Sequence, residues 1–101
     1  MTIEEWQGQV DQWIMNTGKG YHSVLTNMAI LTEEVGELAC VLARTDGDQV
    51  AKEGETLDYK EELADILWVL LCLANQKDVN LSEALHESFV KKSKRDANRF
   101  K

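Results

Sequence analysis

The sequence predicts an all-α protein, a four-helix bundle in a single domain spanning residues 1–101. Three observations predict it. The 101 residues contain no proline, the residue that breaks helix interiors. Apolar residues recur at three- and four-residue spacing in four segments. Helix-start signals stand at the head of three of those segments. Proline's absence permits long helices; the spacing and the caps argue for them.

The first helix is expected from Thr2, where Thr2-x-x-Glu5 forms a capping box that satisfies early orphan amides. Ile3, Trp6, Val10, Trp13 and Ile14 then share one face, and the turn cluster Asn16-Thr-Gly-Lys-Gly20 ends the helix. A second helix is expected from about Ser23 to Arg44, with Leu25, Met28, Thr32, Val35, Ala39 and Leu42 spaced as a near-heptad seam. Residues 45–58 are polar and read as a long loop, either a functional flap or a mobile connection. Asp58-x-x-Glu61 opens the third helix. Every residue from Leu63 to Ala74 except Asp65 is apolar, so this helix should be covered on most sides. A turn at 75–80 leads to Asn80-x-x-Glu83 and a fourth helix with Leu81, Leu85, Ser88 and Phe89 facing inward.

Charge and composition exclude several functions. The formal charge is −7, against the basic surface expected of a duplex DNA binder. The longest apolar run, Ile66–Ala74, is nine residues, far short of the roughly 20 that cross a bilayer. The acidic start Met1-Thr-Ile-Glu-Glu is unlike a secretory signal. Cys40 and Cys72 sit in apolar stretches and read as reduced core thiols of a cytoplasmic protein. No nucleic acid and no membrane is expected as a partner. Charge is also uneven, because residues 91–101 hold six basic side chains against the single acid Asp96. Cations suit a helix C-terminus, yet six behind an acidic body suggest a site where both signs meet.

The acids themselves are badly placed for a helix. In Glu33-Glu34-Val35-Gly36-Glu37, the spacing crowds Glu37 against Glu33 and Glu34, and like charges so spaced destabilise a helix by a few tenths of a kcal/mol. Glu61-Glu62-Leu63-Ala64-Asp65 repeats the pattern. Asp65 lies inside the apolar run, so its neighbours imply burial, where an unpaired carboxylate is severely penalised. A divalent cation resolves the conflict. Carboxylates without matching His or Cys favour Mg²⁺, or Mn²⁺ in its place, over zinc. A carboxylate di-iron bundle would need Glu-x-x-His pairs, and neither His22 nor His86 ends one.

The ordered pair of motifs, EEVGE at 33–37 and ELAD at 62–65, resembles the signature of the MazG-like nucleotide pyrophosphohydrolases, members of the all-α NTP pyrophosphohydrolase superfamily. The likeness extends over nearly the whole chain, through GKGYHS before the second helix, ADILWVLLCLAN and the basic C-terminal segment. The resemblance implies hydrolysis of a nucleoside triphosphate, a dNTP or non-standard nucleotide, to monophosphate and pyrophosphate as nucleotide-pool house-cleaning. It implies Glu34, Glu37, Glu62 and Asp65 as Mg²⁺ ligands, Glu61 as support of the cluster, and Glu33 or Glu34 as the base that activates water. Lys91, Arg95 and Arg99 match its phosphate-binding segment, and forked guanidinium groups suit phosphate oxygens. Asp96 stands where relatives often have Asn. Trp68, three residues after Asp65, is a candidate for base contact, with Trp13, Tyr21 and His22 as further candidates. A homodimer or dimer-of-dimers tetramer is implied as well. Two alternatives remain open at this point: phosphoribosyl-ATP pyrophosphohydrolase, and a non-catalytic helical interaction module.

Overall fold

A computed structural model describes residues 1–48, 50 and 58–97, and within them the chain forms four helices and no strand. These are α1 (Ile3–Asn16), α2 (Val24–Thr45), α3 (Tyr59–Gln76) and α4 (Leu81–Ala97). The caps explain the starts. Thr2 and Glu5 form the reciprocal box, with Glu5 N donating to Thr2 Oγ1 at 3.1 Å and Thr2 N donating to Glu5 Oε1 at 3.0 Å. Ser23, Asp58 and Asn80 accept from the amides of Thr26, Glu61 and Glu83 at 3.1, 3.2 and 3.1 Å. Of the loop expected at 45–58, Gln49 and residues 51–57 lie outside the described residues. Among the described residues, no helix is long and apolar enough to cross a membrane.

α2 and α3 make the broadest contact, and they run antiparallel. Asn27 near the start of α2 bonds Gln76 at the end of α3, while Glu34 meets Glu62 and Asp65 nearer its beginning. α1 lies across the far half of α3, where Val10 (2% exposed), Leu71 and Cys72 form the core, with Ile3, Ile14, Tyr21 and Leu81 packed against it. A polar hub locks that end. Gln7 Nε2 donates to the Val79 carbonyl at 2.8 Å and to Asn75 Oδ1 at 3.2 Å, and its Oε1 accepts from the Leu81 amide at 2.8 Å. Asn75 Nδ2 in turn reaches the Gln7 carbonyl and the Tyr21 hydroxyl. Buried amides with their partners in place specify one geometry for the turn before α4.

Several sequence expectations are corrected here. The seam expected on α2 faces outward: Leu25 is 82% exposed, and Met28, Thr32, Val35, Ala39 and Leu42 are exposed too. The face against α3 instead carries Asn27, Ile30, Leu31, Glu34, Leu38 and Val41, so two of its members are polar and a search for apolar spacing passes over it. Leu85 and Phe89 are exposed because α4 packs mainly along α1 and buries none of its residues. Cys40 is exposed, and only Cys72 is a core thiol. α3 is covered at Val69, Leu71, Cys72 and Ala74 but leaves Leu63, Leu67, Trp68 and Leu70 exposed. The radius of gyration, 17.0 Å, exceeds the roughly 13 Å of a compact 100-residue domain.

Candidate active site

The inward face of α2 and the opposing face of α3 bring three carboxylates together. Glu34, Glu62 and Asp65 each present an oxygen within 4.8 Å of the others. Glu34 comes from α2; Glu62 and Asp65 are one turn apart on α3, which aims both at the same point. One oxygen of Glu34 and one of Glu62 are buried without a hydrogen-bond partner among the described residues. Such atoms are costly unless something meets them. Partial burial, followed by the charges of Glu37, Asp65 and Glu33, pushes the Glu34 carboxyl above the ordinary range. Burial also raises Glu62, with Glu37, Glu34 and Asp65 adding to it. The cluster therefore holds more negative charge than its own residues neutralise. Hard oxygen donors, two of them orphaned, fit a small divalent cation with room left for water and phosphate.

Asp65 differs from its sequence reading in one respect. It is not buried in the chain, because Leu63, Ala64 and Leu67 turn outward while Asp65 faces the cleft between α2 and α3. Glu37 stands beside the cluster and Glu33 lines a groove of about 640 Å³ with Glu37, Arg44 and Glu62. Glu61 is exposed, with its amide bonded to the cap residue Asp58.

One turn away from the carboxylates lies a cavity of about 300 Å³. Ile30 precedes Glu34 by four residues, and Val69 follows Asp65 by four, so the same two helices line both features. Trp13, Tyr21, His22 and Trp68, the four residues singled out for base contact, all line this cavity. Trp13 and Trp68 meet edge to face, with ring centroids 5.6 Å apart and planes at 80°. The turn between α1 and α2 delivers Tyr21 and His22; Gly20, at φ 105°, permits the sharp reversal there, and its amide donates to the Ile14 carbonyl. The Tyr21 hydroxyl donates to Asp11 at 2.6 Å. Burial and that carboxylate raise its pKa to about 12, so it stays neutral.

Asn27 lines the same cavity and was not among the residues the sequence singled out. Its only sequence signal is a polar side chain in register with Glu34, seven residues on, on the face that turns inward. Of the C-terminal basic residues, Lys91 and Arg95 are not brought to the carboxylates within one chain. Lys91 lies in an open groove of α4 with His86 and Lys94, and Arg95 forks onto Asp96 at 2.9 and 3.0 Å. Arg99 falls outside the described residues.

Comparison with known proteins places this geometry in context. The family model described as the MazG nucleotide pyrophosphohydrolase domain matches residues 22–100. YpjD of Bacillus subtilis (strain 168) is 40% identical over 100 residues, which cover 98% of this chain and 90% of that one. The crystal structure of B. subtilis YpjD superposes with a TM-score of 0.83 over 95% of this chain and 97% of its own. A crystal structure of the Bacillus-conserved MazG protein, a nucleotide pyrophosphohydrolase, gives a TM-score of 0.76 at 35% identity, covering 90% of this chain and 88% of that one.

Proposed function

This chain belongs to the MazG nucleotide pyrophosphohydrolases, and from that premise we propose that it hydrolyses a nucleoside triphosphate, a dNTP or non-standard nucleotide, to the monophosphate and pyrophosphate, with Mg²⁺ held by its carboxylates. The observation that carries the metal assignment is the meeting of Glu34, Glu62 and Asp65, two of them with orphaned buried oxygens. Glu37 completes the ligand set and Glu61 supports it. Mg²⁺, or Mn²⁺ in its place, supplies charge neutralisation at the phosphates and a lowered pKa for bound water.

The chain's own residues do the rest. Water attacks the α-phosphorus, its oxygen forms the new P–O bond, and the α–β bridging bond breaks with pyrophosphate as leaving group. The proton released passes to a carboxylate, Glu33 or Glu34. Both lie at the groove and cleft that the phosphates would enter, and a base needs to lie within hydrogen-bond reach of the water. The cavity of Trp13, Tyr21, His22 and Trp68 receives the base. Lys91, Arg95 and Arg99 bind phosphate oxygens. Since α4 stands off from the carboxylates in one chain, these cations serve the site of a second chain in a homodimer or dimer of dimers. The outward apolar rows on α2 and α3 are the surfaces such an assembly would cover.

The test is turnover of a full NTP and dNTP panel, with pyrophosphate detected through added pyrophosphatase. Activity is expected with Mg²⁺ or Mn²⁺ and lost in EDTA while the helical circular dichroism persists. Turnover in EDTA would rule out the metal assignment, and single phosphate released by the pure protein from an NTP would rule out the cleavage site.

A further inference from the structure

Asn27 is 5% exposed, lines the aromatic cavity and belongs to a hydrogen-bond chain whose polarity is fixed from one end. The His22 carbonyl can only accept, so the Gln76 group 2.7 Å from it is Nε2. Gln76 must then turn Oε1 toward Asn27, and Asn27 must answer with Nδ2, at 2.8 Å. That contact uses one N–H. The second N–H and Oδ1 of Asn27 find no partner among the described residues, and Asn27 lines the cavity. A buried amide held by one hand thus offers a donor and an acceptor side by side, in a fixed orientation, inside an otherwise largely apolar cavity. In a ligand pocket, a few such groups among apolar walls set orientation and specificity.

We infer that Asn27, oriented by Gln76 and the His22 carbonyl, reads the base of the substrate through a paired donor and acceptor on its edge. This rests on the proposed hydrolysis of a nucleoside triphosphate. The ligand chemistry is a nucleobase that carries an exocyclic amine or carbonyl next to a ring nitrogen. Trp13 and Trp68 supply apolar wall, and Asn27 supplies the polar reading at its floor. Gln76 is a positioning residue, since it acts through Asn27.

The experiment compares kcat/KM for the best natural nucleotide with its analogue lacking the exocyclic group: purine riboside triphosphate for a purine, or 2-pyrimidinone riboside triphosphate for a pyrimidine. The wild-type protein should prefer the natural base by roughly tenfold or more, the worth of one to two hydrogen bonds in a closed site. Asn27→Ala should lose most of that preference, and Gln76→Ala should lose part of it. Asn27→Ser, which keeps a small polar group in the same place, is the second variant should the alanine form fail to fold. A wild-type ratio near one overturns the inference, as does a ratio that the Asn27 variants leave in place while all rates fall together, which is the mark of a merely structural tie between α2 and α3. Failure of the wild-type protein to turn over any nucleotide would remove the underlying hydrolase reading, a result distinct from turnover without discrimination.

Discussion

Replacing Glu34 by Gln should make the metal-free protein more stable and the metal-loaded protein less so. Glu34 is held near Glu62 and Asp65, with oxygens within 4.8 Å. A like charge about 5 Å away repels it by about 0.8 kcal/mol in water-like surroundings. Screening at partly exposed carboxylates reduces the total relief on neutralising Glu34 to about 1 kcal/mol. The new amide can also donate, where the carboxylate left an oxygen orphaned. For a domain of this size, 1 kcal/mol corresponds to a Tm rise of roughly 4–8 °C without metal. Mg²⁺ at a hundred times its Kd adds about 2.7 kcal/mol to the wild-type protein, and the variant, short of one ligand, should gain little. The two melting curves should therefore change order between EDTA and saturating Mg²⁺, with activity lost in the variant. A metal-free Glu34→Gln protein that melts several degrees below wild type would show Glu34 to be a structural residue. An equal Mg²⁺ gain in both proteins would show that the cation binds elsewhere.

The pH dependence follows from the same carboxylates. Glu34 and Glu62 titrate above the ordinary range when folded, so the native state holds protons that the unfolded chain gives up. Stability of the metal-free protein should fall as pH rises from the unfolded carboxylate value, about 4.3, through the raised folded values. The Mg²⁺-induced Tm increase should grow over that same window as the metal displaces those protons, and melting in EDTA and in Mg²⁺ across pH measures both. Leu71→Ala, in the core with Val10 and Cys72, should cost about 2–5 kcal/mol in denaturant unfolding. Sedimentation at micromolar concentration should give at least a dimer, and mixing Asp65→Asn with Arg95→Ala chains should restore part of the activity. A fully active 11.5 kDa monomer would refute that shared site.

Three helix starts were legible because a cap is a local device: Thr2, Asp58 and Asn80 each bind an amide three residues on. The pairing of EEVGE with ELAD was legible for a similar reason, since helical spacing alone aims Glu62 and Asp65 at one point. The packing face of α2 was not. Its inward row contains Asn27 and Glu34, while the more apolar row of Leu25, Met28, Val35 and Leu42 faces out. Apolar periodicity finds whichever row is greasier, and a helix that carries a site has traded apolar residues for polar ones on its inner row. Burial of Asp65 was misread because flanking residues on a helix point elsewhere: Leu63, Ala64 and Leu67 reach outward while Asp65 faces the cleft. The relation of Lys91 and Arg95 to the carboxylates depends on where α4 docks, and its exposed Leu85 and Phe89 gave no such information.

Stability and chemistry are divided along the length of α3. Its second half holds the core residues Leu71 and Cys72, the Gln76 tie to α2, and Asn75, which with Gln7 and Tyr21 ties α1 and the turn after it to α3 through part-buried hydrogen bonds. Its first half carries Glu62 and Asp65 and is covered far less. Crowded carboxylates weaken the fold wherever they stand, by repulsion and by orphaned oxygens. At the well-packed end they would sit among the contacts on which folding depends. At the lightly packed end their repulsion is borne by two helices already joined at the other. The aromatic cavity lies between, bounded by Val69 and Cys72 of the core on one side and by Trp68, one turn from Asp65, on the other. A base bound there would rest against the buried core of the chain, while its phosphates extended toward the acids. The order along α3, from carboxylates to aromatic wall to core, therefore runs in the same sense as a nucleotide from phosphate to base.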